Sequence, residues 1–415
     1  MKIIRVCMVV LIITMLVSCN KNIIVDNFNY ENDVFIEKME YSFGCVMYAD
    51  GEGNVWNWGK YATDGIEVNK NQPIPIKLDK IQGIVDFAVI NSISDEAHVT
   101  ILLNNKGELY QLFVTKNNLE DYGVSVELYE PLNSVKRILG ISTIPPYDFN
   151  TMYMCVEKFD GTVLGIDITD LGLGSNIESL ILPDNFGKIK EINLFGTVLN
   201  EDGEVWQRMF SDENDLYKKV EISDVKQIQS DVVTFLALKN DGTVWGWGDN
   251  GTGVLAYRRN SNEVVVSEES EVSTLEEPEA STFDEPIQIE GLANIDIISY
   301  NGRAGAIDKN GEVYTWGMQD DISEDNFEYW NKMISSYLDE NLQETPETPY
   351  LDSHSPPKKL KNLENYKIKY IYTGPAFTSL VTENNVVLNR GLNFWGELGV
   401  DKETGTVDFE EIELK

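Results

Sequence analysis

Asp241–Ala256 reads Asp-Gly-Thr-Val-Trp-Gly-Trp-Gly-Asp-Asn-Gly-Thr-Gly-Val-Leu-Ala, and its reading decides the fold. Asp241-Gly242 predicts a two-residue hairpin of type I′, a turn that needs φ > 0 at both central positions. Phe235–Leu238 enters that turn as a short apolar strand, and Val244–Trp247 leaves it as another. Gly248, Gly251 and Gly253 then force a second reversal. One hairpin of this kind cannot bury its own apolar face in water, so the chain needs copies.

The copies are present. Val55-Trp56-Asn57-Trp58-Gly59 follows Gly51–Asn54, and Val313-Tyr314-Thr315-Trp316-Gly317 follows Asn310-Gly311. Weaker copies follow Lys106-Gly107, Asp160-Gly161 and Asp202-Gly203. A seventh follows Asn384-Asn385, with Arg390-Gly391 in place of Trp-Gly, and ends in Asn393-Phe394-Trp395-Gly396-Glu397-Leu398-Gly399. Gly161 and Gly203 are 42 residues apart and Gly203 and Gly242 are 39, whereas Gly242 and Gly311 are 69 apart, which implies an insertion. A period of this size, punctuated by turn, strand and Trp-Gly, predicts an all-β, seven-bladed propeller with four-stranded antiparallel blades.

Trp247-Gly248-x-Asn250-x-x-Gly253-x-Leu255-Ala256 resembles the regulator-of-chromosome-condensation repeat. That repeat runs Asp-Gly, Trp-Gly, then Asn-x-x-Gly-x-Leu-Gly. Pro75-Ile76–Leu78, Pro286-Ile287–Leu292 and Pro357–Leu360 are similar to the Pro-x-x-Val/Ile strand that follows it. The resemblance covers Val34 to Leu414. It is closest in units five and seven and weakest in units two to four. It implies a ring that presents loops to a protein partner. Known members include a nuclear nucleotide-exchange factor, a photoreceptor and secreted bacterial inhibitors of β-lactamase, and no functional motif of theirs transfers residue by residue.

Residues 1–18 read as a lipoprotein signal. Lys2 and Arg5 precede the apolar run Val6–Val17, and Leu16-Val17-Ser18-Cys19 reads as a lipobox with Cys19 the lipidated residue. The run is short for a membrane-spanning helix. An ordinary cleaved signal and a membrane anchor are the alternatives. Residues 19–33 then form a polar tether and 34–415 the ring, with Val34–Met39 pairing Val407–Leu414 in one shared blade to close it. The expected location is the extracytoplasmic side of a bacterial membrane.

Charge narrows the partners. Removing Lys2 and Arg5 takes the formal net charge from −36 to −38. A surface this acidic opposes phosphate backbones and anionic headgroups, which argues against nucleic acid and leaves the lipid as the membrane contact. It suits solubility, a basic partner or loosely held divalent ions. Cys45 and Cys155 each lie five residues before a turn aspartate, Asp50 and Asp160, and read as small buried hydrophobes at equivalent positions too far apart for a disulfide.

Two insertions break the period. Residues 260–285 hold nine acidic residues and no Lys or Arg, and read as a mobile spacer or a recognition loop. Residues 318–356 contain Phe327, Trp330, Met333, Ile334, Tyr337 and Leu338 at helical spacing, with Asp325 or Asn326 as N-cap. That helix packs on the ring or meets a partner; on the second reading Phe327, Trp330 and Tyr337 are the partner-binding anchors.

Chemical motifs are sparse. Gly246-x-Gly248-x-x-Gly251 matches a dinucleotide fingerprint without the helix it requires. Asp308-x-Asn310-Gly311 begins like a calcium loop but lacks the closing Glu, and a hairpin turn explains it. His98 and His354 are the two histidines, too few and too dispersed for zinc. No metal, cofactor or catalytic residue is expected. The tryptophans at two repeated positions (Trp58, Trp247 and Trp316; Trp56, Trp206 and Trp245) read as packing between blades, with a sugar-stacking platform as the alternative. The sequence therefore predicts a monomeric binding module for an envelope or extracellular protein. The alternative is a cell-envelope polysaccharide hydrolase or lyase with carboxylates in the ring mouth.

Overall fold

The computed structural model describes residues 38–412 and 414, apart from 43–44, 60–71, 79–82, 92–97, 119–120, 143–151, 169–172, 175, 181–185, 194–195, 209–216, 232, 257–281, 318–355, 375–376, 394–395, 401–404 and 413. Its hairpins show how the sequence starts each blade. Lys239 N donates to Thr243 O at 3.0 Å, and Gly242 N to Lys239 O at 3.0 Å. Gly242 takes φ 82°, while Asp241 is not a positive-φ residue. The two-residue type I′ turn is therefore overturned. The loop has three residues, a type I turn closed by a left-handed residue, the next most common hairpin. A Cβ on Gly242 would also lie 2.9 Å from Asn294 Cα, so the site excludes side chains twice over.

All seven units use this turn. Gly53, Gly107, Gly161, Gly203, Gly242 and Gly311 take the left-handed position, and Asn385 takes it in unit seven at φ 60°. Asn is among the residues that tolerate that region best. Counting from the turn also corrects the cysteines. Unit one turns at Asp50 but unit three at Lys158. Cys45 and Cys155 are thus offset by two residues, although both are free and buried as expected.

Each unit becomes one four-stranded antiparallel sheet, and the described residues form seven of them. The first strands are Lys38–Ser42, Ile84–Asn91, Val135–Ser142, Ile189–Ile192, Val225–Ser230, Ile295–Tyr300 and Ile368–Thr373. They form the inner wall, and most touch the first strand of the next blade. The buried apolar residues separate into seven clusters, one for each seam between neighbouring blades. A blade's two faces are thus both core, and burial against both neighbours stabilises it.

The seam between the last blade and the first corrects the expected closure. Lys38–Ser42 pairs with Cys45–Ala49 in blade one, and Thr406–Ile412 pairs with Val387–Gly391 in blade seven. The two termini share no blade. Met39, Tyr41, Trp58, Tyr370, Phe377 and Ile412 pack the seam instead. Tyr41 and Phe377 meet edge-on with centroids 5.1 Å apart. Met39 N donates to the Tyr370 hydroxyl at 3.1 Å, and Trp58 Nε1 to Glu397 O at 2.8 Å. The C-terminal strand alternates: Ile412 and Leu414 join this seam, while Phe409 packs against the seam behind it.

Tyr370 belongs to a wider pattern. In six blades the first strand carries a register shift just before one residue, and at this level Asp86, Arg137, Gln227 and Tyr370 reach backbone in the next blade. Asp86 Oδ2 accepts from Ile138 N at 3.0 Å. Arg137 donates to Ile189 O at 2.8 Å, and Gln227 both donates to Ile298 O and accepts from its N–H. Lys38, at the same level of blade one, donates to Phe87 O and pairs with Glu40 at 2.5 Å and Asp86 at 3.3 Å.

Two outcomes test the seam. Tyr370→Phe removes only a hydroxyl but leaves Met39 N–H buried without it, at a cost of about 1–3 kcal/mol. Chemical denaturation should show that loss. Deleting Val407–Lys415 removes the outer strand of blade seven and Ile412 from the seam, and should lower the melting temperature cooperatively. An unchanged melting curve for the deletion would mean that blade seven holds the ring shut without its outer strand.

Candidate interaction face

The antiparallel order puts all seven hairpin turns at one end of the ring, the hairpin face. The connections from first to second and from third to fourth strand lie at the other, the loop face. Both insertions leave from the loop face, one after Val244–Asp249 and one after Val313–Trp316. The acidic segment's last residues, Thr282–Glu285, are already the start of the outer strand Thr282–Gln288, with Thr282 opposite Asp249. Phe327, Trp330 and Tyr337, the helix expected to carry them, and Cys19 lie outside the described residues.

The glycine-rich loops lock neighbouring blades. Asn250 Oδ1 accepts from Leu255 N at 2.8 Å and folds the loop over itself. Trp316 of blade six then donates its Nε1 to Val254 O of blade five at 2.7 Å. Asn393 repeats the first contact with Leu398 N at 2.8 Å, and Trp58 of blade one repeats the second with Glu397 O. Blade four lacks the loop motif, so Trp247 finds Gln207 Oε1 at 2.8 Å instead. Trp58, Trp247 and Trp316 are buried, which places them between blades as the sequence predicts rather than on a stacking platform. A buried indole N–H needs an acceptor, and the loop carbonyl supplies it.

Between these locks lies a polar cluster that no motif announced. Asp231 follows the first strand of blade five, Val225–Ser230. Its Oδ1 accepts from Val233 N at 2.9 Å and Thr234 N at 2.8 Å, and its Oδ2 from the Tyr300 hydroxyl at 2.5 Å. Burial raises its pKa despite the three bonds that oppose the rise, and the charge of Asp249 adds to it. The same burial and the adjacent carboxylate push Tyr300 well up. Asn301 Nδ2 donates to the Tyr372 hydroxyl at 3.2 Å, and the buried Arg303 donates to Thr378 Oγ1. Only a level-by-level alignment of the first strands could have picked out Asp231, and the residue types at that level do not agree.

Among the described residues Glu40 is the other acid that burial raises, against the pull of Lys38 and a bond from Val89 N at 2.8 Å. It sits in the seam between blades one and two. Burial alone would also raise Glu157, but Arg137 at 2.6 Å and Lys136 at 3.1 Å outweigh it and hold the pKa down. The Asp308 segment is a hairpin turn: Oδ1 accepts from Asn310 N and Glu312 N at 2.9 and 2.8 Å. After Gly251 the chain turns through Thr252–Ala256 without a helix, so the dinucleotide fingerprint lacks its context. Among the described residues no three His, Cys, Asp or Glu side chains are grouped to hold a metal.

No family model matches the chain, and neither does any curated protein. Solved structures do resemble it. Yeast RCC1 (Prp20), in a crystal structure with Kap60 bound, superposes with a TM-score of 0.56 at 13% identity, covering 96% of this chain and 90% of that one. Human WBSCR16 superposes with a TM-score of 0.50 at 14% identity, covering 82% and 85%. At these identities the likeness establishes the fold: this chain is a seven-bladed propeller of the kind those proteins adopt.

Proposed function

We propose that the chain is a lipid-anchored, extracytoplasmic propeller that binds a partner protein through the loop face and performs no chemistry there. One observation carries the reading. The two insertions leave adjacent blades at one face, and the Trp316–Val254 bond ties the two points of departure into one rigid base. Loops on a rigid scaffold are where binding residues gather. The solved complex of yeast RCC1 with Kap60 supports a propeller of this shape as a protein-binding platform. Phe327, Trp330 and Tyr337 supply residue types apt for interface anchors, and the acidic segment supplies long-range attraction to a basic partner. The anchor reading rests on Leu16–Cys19.

The enzyme reading has one observation in its favour, the raised pKa of Asp231 on the loop face. A general acid must present its proton to a substrate. Asp231 gives both oxygens to backbone N–H groups and Tyr300, so its burial reads as part of the joint between blades five and six.

Three outcomes test these assignments. Cys19→Ala should abolish metabolic labelling by a fatty acid; equal labelling of wild type and variant would remove the anchor. Replacing Met318–Pro356 with a short Gly-Ser linker should leave the melting temperature intact and abolish capture of the native envelope partner. Undiminished capture would move the site off this insertion, and a failure to fold would make the helix part of the core. The third concerns Asp231. Its folded pKa lies above the ordinary aspartate value of 3.8, so the neutral form favours the fold and stability falls as pH rises through the raised value. Asp231→Asn should therefore match wild type at low pH and gain on it towards neutrality. A constant gap across that range would show that ionisation of Asp231 is not linked to folding.

A further inference from the structure

Both faces of the ring are not equal candidates for the membrane. The first strand starts at Lys38, opposite Ala49, one residue from the Asp50 turn. The chain therefore enters the ring beside its axis, on the hairpin face. The outer strand of blade seven also ends there, with Ile412 opposite Val387. Between Cys19 and the ring lie residues 20–37, eighteen residues that span at most about 60 Å.

Turning the loop face to the bilayer would use about half of that length on the ring alone. From the axis the tether would have to cross a blade of four strands, about 14 Å beyond the inner wall, and then climb a five-residue strand, about 17 Å. It would still have to pass the loops. Drawing a segment out towards its full length costs conformational freedom. With the hairpin face down, the tether needs no such path.

Charge is uneven over the hairpin face: turns such as those at Glu52, Asp160, Asp202 and Asp241 are acidic, and one stretch is basic. The segment Lys358–Lys369 crosses the hairpin face between blades six and seven, and carries five lysines against one glutamate in a chain of net charge −36. Lys358, Lys359, Lys361 and Lys367 are exposed, Lys359 and Lys367 with Glu312 and Glu383 beside them. Seven of the nine acidic residues of 260–285 precede the outer strand Thr282–Gln288, in the segment that leaves from the opposite face. Anionic headgroups attract the first set and repel the second.

We infer that the hairpin face is the bilayer-facing side of the ring, seated towards anionic headgroups, so that the two insertions project away from the membrane. This rests on the lipid anchor proposed above. Full-length lipidated protein in vesicles containing phosphatidylglycerol tests it by energy transfer from a single dye to a headgroup acceptor. Cys45 and Cys155 are buried, and burial pushes the Cys45 thiol up to about 12, so neither competes for a maleimide at neutral pH. Asp202→Cys and Lys361→Cys place the dye on the hairpin face, and Val233→Cys, exposed on the loop face, places it on the other.

Transfer should be stronger from positions 202 and 361 than from 233. Equal transfer, or stronger transfer from 233, overturns the orientation. Adding Lys358→Glu and Lys361→Glu to the 202 and 233 labels should narrow their difference; an unchanged difference overturns the role of the headgroups. Protein that does not float with the vesicles overturns the anchor itself, an outcome separate from wrong-way transfer by protein that floats.

Discussion

A ring of blades has no seam that can be left open, and here the final seam is held by side chains. Every blade buries both faces, so an unclosed ring would expose the apolar faces of blades one and seven to water. Closure joins Met39 to Tyr370 across 331 residues. The loop entropy of that join is ~5 kcal/mol beyond a constant, because it grows only with the logarithm of length. Burying a large apolar side chain contributes about 1.5–3 kcal/mol. Tyr41, Trp58, Tyr372 and Phe377 are all buried in the seam, so a few aromatics offset the entropic term. Strand exchange between the termini is not required.

That balance explains which parts of the fold were legible. Hairpin positions, Trp-Gly strands and the seven-fold repeat could be read because each has a local cause: a glycine, an apolar strand, a buried indole. The turn type was misread because Asp241-Gly242 catches the eye, whereas the turn begins at Lys239. In units three and five the second-to-last turn residue, Asp160 or Asp241, bonds the backbone two residues on. In units one, two, four and six the first turn residue does this work: Asp50, Asn104, Asn200 or Asp308. One backbone turn thus has two side-chain solutions, and a reader who fixes on the aspartate slips register between them. Cys155 was displaced by that slip.

The contacts along the inner wall were hidden for a different reason. Lys38, Asp86, Arg137, Gln227 and Tyr370 share a level and a target, the backbone of the next blade, but no chemical type. A backbone strand offers both N–H donors and C=O acceptors, so cationic, anionic, amide and phenolic groups all serve. Sequence periodicity detects repeated residue types and misses repeated geometry. Asp231 and Tyr300 escaped notice similarly, as a joint made once, between blades five and six. The tryptophans were legible because burying an indole leaves few choices.

The locks also bear on how the ring carries its insertions. Each departs beside a residue fixed from the neighbouring blade. Asn250 and Leu255 fold the loop of blade five, and Trp316 holds it from blade six, before the acidic segment begins. Gly317 follows at φ 104°, and a Cβ there would lie 2.8 Å from the Val254 side chain, so the chain passes close over the lock as it leaves. A loop's freedom adds little cost to the fold when its ends are already held, since closure entropy depends weakly on length. The ring therefore tolerates long additions after these strands, where a rigid joint isolates the core from what is attached. Three of the hairpin turns offer no such tolerance. Gly107, Gly203 and Gly242 each bring backbone of the following connection to within about a Cβ contact, and the turn and the next blade are one packed unit. Packing thus restrains variation at these three turns and leaves it free at the loop face, before any partner selects for it.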